Sequence, residues 1–227
     1  MPVAVITGGA SGLGAATGVR LRGEGVAVAS LDLHEAADVD LSISVDVRDA
    51  EAVDAAVERV EGELGPVDHL LTAAGVYELS PIGGTPADVW RRMLSIHIDG
   101  TANACRSVYR RMLGRGTGSI VTIGSELALC GDAEAAHYAA AKGAIVGLTK
   151  SLAMEAVGHG IRVNCVAPGP ADTPLLKPEM RAPAYIDSLV LKRIVKPDEV
   201  AATVAFLMLD EHNFVGQVLS PNAGAVV

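Results

Sequence analysis

Residues 3–14 read VAVITGGASGLG, and this stretch decides the fold. Residues 3–7 are apolar and mostly β-branched, the pattern of a buried strand. Gly8-Gly9-Ala10-Ser11-Gly12-Leu13-Gly14 follows as a glycine-rich turn, and AATGVRLRGEG then reads as a helix. A glycine turn between strand and helix lets backbone approach a pyrophosphate. The helix start adds free N–H groups and the positive end of its dipole. The spacing is Gly-x-x-x-Gly-x-Gly, and the glycines alone would also fit an ordinary tight turn.

The next apolar run, VAVASLDLH, favours the nucleotide reading. It reaches Asp32, 18 residues after Gly14. A carboxylate at the tip of the second strand suits the two adenosine ribose hydroxyls of NAD. It would repel the 2′-phosphate of NADP, and no Arg or Lys stands in residues 8–14 or 26–34 to bind that phosphate.

Outward from there the chain alternates. Strands are expected at 3–7, 26–31, 42–47, 69–74, 119–125, 162–167 and 217–220, and helices at 12–23, 49–63, 87–115, 135–158 and 197–209. Only HEAADVDL precedes the third strand, so a loop or single turn is expected there. The alternation predicts an α/β fold: a single-domain, Rossmann-type doubly wound parallel sheet with helices on both faces. Ligands of such sheets bind beyond the carboxyl ends of the strands, at the topological switch point. Gly8, Asp32, Asp46, Gly75, Ser125 and Pro168 all fall there.

Chemistry enters with HYAAAKGAIVGL. Tyr138 and Lys142 stand four apart, which places them on one helix face. A nearby ammonium favours the phenolate, so Lys142 is expected to lower the Tyr138 pKa. Such a phenol can exchange a proton with an alcohol or ketone. Thirteen residues before Tyr138, Ser125 closes the run SIVTIGS.

Thr7-Gly8-x-x-x-Gly12-x-Gly14, Asp46-Val47, Ala73-Ala74-Gly75, Ser125, Tyr138-x-x-x-Lys142 and Asn164-x-x-Ala167-Pro168-Gly169 stand in one order. In this the chain resembles the short-chain dehydrogenase/reductase family, in its small single-domain branch, from Val3 to about Gly224. The resemblance implies interconversion of a secondary alcohol and a ketone with NAD. Tyr138 is then the general acid/base and Ser125 a donor to the substrate oxygen. Lys142 would also bond the nicotinamide ribose. It implies cofactor contacts from Gly8, Ser11, Gly12, Leu13, Gly14, Asp32, Asp46, Val47, Ala74, Gly75, Tyr138, Lys142, Pro168, Gly169, Ala171 and Thr173. A homodimer or homotetramer through helices 87–115 and 135–158 is implied as well.

Two departures stand out. In WRRMLSIHIDG, His97 takes the place of an Asn that supports a proton relay in the family. It either serves that relay or is a packed core histidine, and a dinucleotide sensor without turnover is the alternative function it raises. Thr72-Ala73-Ala74-Gly75 stands where the family often has Asn-Asn-Ala-Gly, and a structural adjustment is expected.

Composition sets the outer limits. The 227 residues fit one domain, with a substrate flap at about 173–196. A net charge of −9 without a basic cluster argues against nucleic acid and anionic membranes. Cys105, Cys130 and Cys165 lack metal-ligand spacing and read as reduced thiols of a cytoplasmic protein, and the first strand leaves no room for a signal peptide. Leu127, Leu129, Leu175, Leu176, Met180 and Tyr185 are expected to line an apolar substrate pocket. Glu126 is expected to face solvent rather than a substrate substituent.

Overall fold

The structure, a computed structural model, describes residues 1–210 and 213–226. Seven strands form one parallel sheet: β1 Val3–Thr7, β2 Ala27–Asp32, β3 Leu41–Ser44, β4 Val67–Thr72, β5 Gly118–Ile123, β6 Ile161–Val166 and β7 Val218–Leu219. Their order is β3-β2-β1-β4-β5-β6-β7. The direction of winding reverses at β1, where Thr7 pairs with Leu31 of β2 and Thr72 of β4. That reversal opens a crevice at the carboxyl edge.

Side-chain alternation along β1 shows why both faces are covered. Val3 and Val5 pack into one cluster with Val53, Val57 and Val60 of α2 (Ala50–Glu63), and with Val108 and Met112 of α4 (Gly100–Arg115). Ala4 and Ile6 pack into the other, with Leu21 of α1 (Gly12–Gly23) and Val204 and Leu207 of α8 (Pro197–Leu209). Burying each such side chain contributes about 1.5–3 kcal/mol. Asp49 caps α2, its carboxylate accepting from the N–H groups of Glu51 and Ala52 at 3.0 Å. Pro197 opens α8, where Glu199 accepts from the Lys196 N–H at 2.8 Å.

The crossover between β2 and β3 has no helix, as its short sequence requires. Other boundaries differ. The third strand ends at Ser44 rather than at residue 47, because β2 ends at Asp32, opposite Ser44. Asp46 and Val47 therefore leave the sheet. β4 and β5 likewise stop at Thr72 and Ile123, two residues before the expected ends, and release Ala73, Ala74, Gly124 and Ser125 into the crevice.

The helix expected over 87–115 is three pieces: α3 (Ala87–Leu94), one π-helical turn (Ser95–Asp99) and α4. Docking holds α4 where it is. Asn103 donates from Nδ2 to the Val47 and Arg48 carbonyls at 3.0 and 3.2 Å. Gly100 faces Val47, whose Cγ2 a β-carbon there would approach to 2.6 Å. The wide turn leaves His97 buried.

Short helix α5 (Leu127–Cys130) and long helix α6 (Ala136–Ala156) follow β5. Residues 172–194 make an excursion containing a 3₁₀ turn (Pro178–Arg181) and α7 (Pro183–Ser188). A bridge between Ala171 and Val195 pins its base, with the Asp172 N–H donating to Val195 at 2.9 Å. Among the described residues no helix is long and apolar enough to cross a membrane.

Candidate active site

Two concavities meet at the carboxyl edge of the sheet. The larger, about 480 Å³, is lined by Gly8, Ser11, Gly12, Leu13, Gly14, Asp32, Asp46, Val47, Ala74, Gly75, Tyr138, Lys142 and Thr173 among others. The smaller, about 110 Å³, is lined by Ser125, Glu126, Tyr77, Leu127, the Pro168–Ala171 segment and Met180. Ile123, Tyr138, Leu13, Thr173 and Leu175 line both. Pro168, Gly169 and Ala171 thus stand on the smaller pocket rather than in the cleft. Leu175, Leu176, Met180 and Leu127 line the pocket as expected, whereas Leu129 points outward, 53% exposed, and Tyr185 is not in the lining.

The cleft has the form of a dinucleotide cradle. No side chain caps the start of α1, and no acidic residue occupies its first turn, so its positive end opens into the cleft. Gly8 lies at φ +73 against the Ala74 backbone, where a β-carbon would come within 2.6 Å of the amide nitrogen. A β-carbon on Gly14 would collide with the Gly8 carbonyl. Asp32 closes the loop from the side: one carboxylate oxygen accepts the Ala10 N–H at 3.1 Å and the other the His34 N–H at 3.0 Å.

Two cations in the cleft escaped the sequence reading. Arg48 grips the Asp46 carboxylate with contacts of 2.5–3.0 Å and holds its pKa below the usual range. Arg92 pairs with Glu78 at 2.5 Å. Asp46-Val47 marked the first neighbourhood. Nothing local marked the second, because Arg92 reaches the cleft through helix packing.

At the junction, the Tyr138 ring stands between two others. Tyr77 meets it edge-on at 4.8 Å between centroids, and His97 at 5.5 Å. Lys142 is buried, and its Nζ lies 5.7 Å from the Tyr138 centroid. That Nζ donates to the Ile123 carbonyl at 2.8 Å, fixing it at the end of β5. Burial pushes the Lys142 ammonium down to about 8. The expected lowering of the Tyr138 pKa is not what these groups produce. Burial raises it, Glu126 adds to the rise, and the neighbouring Ser125 hydroxyl opposes them. Desolvation of the phenolate dominates.

Ser125 is equally enclosed. Its Oγ donates to Glu126 Oε2 at 2.9 Å and accepts the Leu127 N–H at 3.2 Å. Glu126 is only 7% exposed, which corrects the expectation that it faces solvent. It opens the short helix α5, and that turn folds its carboxyl back onto Ser125. Burial pushes the carboxyl up to about 7, against the Ser125 hydrogen bond.

His97 lies under the Gly75 backbone, so closely that a β-carbon at 75 would strike its ring. Its Nε2 stands 2.8 Å from the Val76 carbonyl oxygen and 3.2 Å from the Val76 amide nitrogen. The shorter contact calls for a proton on Nε2, which leaves Nδ1 as a buried acceptor without a protein partner. Burial, with Lys142 adding repulsion, drives its pKa down to about 3. The folded chain therefore takes up this proton only near pH 3, whereas the unfolded chain takes it up near 6.5. The neutral ring's contribution to stability is complete above about pH 6.5. It drains away as pH falls toward 3, by about 2 kcal/mol at pH 5. Denaturant unfolding across this range should show the loss in the parent chain and a flatter profile in His97→Asn; parallel profiles would assign the acid sensitivity elsewhere.

The fourth-strand departure finds its adjustment at Thr7. Its carbonyl accepts the Ala73 N–H at 3.0 Å and its hydroxyl the Ala74 N–H at 3.3 Å, so β1 braces the loop.

Relatives share this plan. A family model described as short chain dehydrogenase matches residues 2–183. The cis-4-hydroxycyclohexanecarboxylate dehydrogenase of Sinomonas cyclohexanicum is 38% identical over 98% of this chain and 95% of its own. The meso-2,3-butanediol dehydrogenase of Serratia marcescens is 34% identical over 98% and 93%. The crystal structure of levodione reductase superposes with a TM-score of 0.93 at 30% identity, over 98% of this chain and 96% of that one. A glycine cradle beside a Ser–Tyr–Lys cluster, at these identities over this length, places the chain in the short-chain dehydrogenase family of oxidoreductases.

Proposed function

We propose that the protein interconverts a small secondary alcohol and its ketone with NAD, Tyr138 acting as general acid/base. One observation carries the reading: Tyr138 lines both the dinucleotide cleft and the smaller pocket, with Ser125 and Lys142 beside it. NAD, when bound, supplies hydride acceptance and donation. The turn at residues 8–14 and the start of α1 hold its pyrophosphate, and Asp32 its adenosine ribose. Ser125 donates to the substrate oxygen, where charge builds as the carbonyl changes hybridisation.

The direction of the Tyr138 shift bears on the chemistry. A phenol kept protonated is a ready acid for ketone reduction at neutral pH, whereas alcohol oxidation needs the phenolate. The pocket volume, about 110 Å³, suits a small ring or short chain rather than a ligand of about 300 Å³ or more. Relatives named for a hydroxycyclohexane acid and a butanediol support that size.

NADH absorbance across a panel of secondary alcohols, with NAD and NADP in parallel, tests the reading. Turnover with NAD is the expected result; none on any alcohol, with NADH still bound, would leave the sensor reading instead. Asp32→Ser removes the carboxylate, and the ratio of kcat/KM for NAD over NADP should fall by about 10- to 100-fold. An unchanged ratio would remove Asp32 from cofactor choice.

A further inference from the structure

We propose that Glu126 is a second substrate anchor, accepting a hydrogen bond from a hydroxyl or ammonium group on the carbon next to the one that reacts. The inference rests on the dehydrogenase reading and narrows its substrate class to alcohols carrying a neighbouring donor.

Glu126 lines the smaller pocket and is 7% exposed. Ser125 is the side-chain donor to it, the backbone N–H groups of Glu126 and Leu127 favour its charged form, and among the described residues no cation stands against it. The groups around it make this worse. Asp132 repels it, and its own field acts on Tyr77, Tyr138 and Tyr185. The remaining lining is largely apolar: Leu13, Ile123, Leu127, Leu175, Leu176 and Met180. An acceptor of this strength in such a wall is costly unless donors meet it.

Catalysis sharpens the deficit. Ser125 has one O–H. When it turns to the substrate oxygen, Glu126 loses its side-chain donor. A substrate that brings its own donor restores the balance. The geometry closes: Ser125 Oγ and Glu126 Oε2 are 2.9 Å apart. A hydrogen bond of about 2.8 Å from each leaves room for two substrate atoms the same distance apart, the spacing of vicinal polar groups. A simple alcohol fills one corner of this four-atom ring and brings the carboxyl no side-chain donor in place of Ser125.

Hydroxyl and ammonium share this chemistry, and substitution separates them. Initial rates with NAD would be compared for cyclohexanol, 1,2-cyclohexanediol and 2-aminocyclohexanol, in the parent chain, Glu126→Gln and Glu126→Leu. In the parent chain, kcat/KM for at least one donor-bearing alcohol should exceed that for cyclohexanol by about 10- to 100-fold. Glu126→Leu should bring that ratio close to one. Glu126→Gln, the same shape without the charge, should keep a hydroxyl preference through its amide oxygen and lose an ammonium preference. It also serves if the leucine variant fails to fold. Because the readout is a ratio between substrates, a general loss from disturbing Ser125 cancels. Equal kcat/KM for all three alcohols in the parent chain, or a donor preference surviving in Glu126→Leu, would overturn the anchor and leave the dehydrogenase standing. No turnover of any alcohol would overturn the dehydrogenase reading and the anchor with it.

Discussion

Tyr138→Phe should lower kcat by at least about 10²- to 10⁴-fold, the range over which a positioned acid/base acts, while NADH affinity stays within about threefold. The change removes one oxygen from a ring already held by Tyr77 on one side and His97 on the other. Those edge-on contacts do not involve the hydroxyl, so the ring keeps its place and the cleft wall its shape. What disappears is the oxygen that carries the proton beside Ser125. NADH fluorescence titration beside initial rates separates the two effects. Retained turnover would mean that another group carries the proton. Loss of NADH binding would mean that the hydroxyl shapes the cleft rather than the chemistry.

The second large effect belongs to Gly14. A β-carbon there meets the Gly8 carbonyl, a backbone atom that no rotamer change can move aside. In Gly14→Ala the turn and the start of α1 must part. Strain of this kind costs about 1–3 kcal/mol, and displacement of the cradle should weaken dinucleotide binding by at least about tenfold. Calorimetric titration with NADH gives the affinity, and thermal unfolding of the same variant gives the strain. Gly143 offers a control, since a β-carbon there meets nothing within 4 Å. Unchanged NADH affinity in Gly14→Ala would mean that the pyrophosphate does not sit on this turn.

Much of this arrangement is legible in the sequence, for an identifiable reason. The glycine turn, Asp32 and the Tyr138–Lys142 pair are local patterns. Each sits where a strand or helix of known period must end or face. A parallel sheet then gathers all strand ends on one edge, so residues 8, 32, 75 and 125 converge whatever the packing details. What stayed hidden depends on contacts between distant segments. The π-helical turn at Ser95–Asp99 answers to Asn103 and Gly100 docking on Val47, which in the case of Asn103 lies 56 residues earlier in the chain. Arg48 and Arg92 enter the cleft from helices and loops that the glycine motif does not specify. Glu126 was read as solvated because nothing beside it in sequence suggests burial; the enclosing wall comes from the 172–194 excursion and the Tyr77 loop. The Tyr138 pKa went the other way for a related reason. Spacing gives the shared face with Lys142 but not the burial that penalises the phenolate.

The all-parallel sheet also sets an order of events on the ribosome. No two neighbouring strands can zip as a hairpin, so every pairing waits for its crossover to be made. β1, β2 and β3, with the glycine turn, Asp32 and Asp46, are complete within the first 46 residues. Ser125, Tyr138 and Lys142 emerge much later, and β7 is the last strand to arrive. Vectorial synthesis therefore delivers the glycine turn, Asp32 and Asp46 well before Ser125, Tyr138 and Lys142. The glycine turn therefore waits for residues 73–76, against which Gly8 packs, before the wall of the cleft can close.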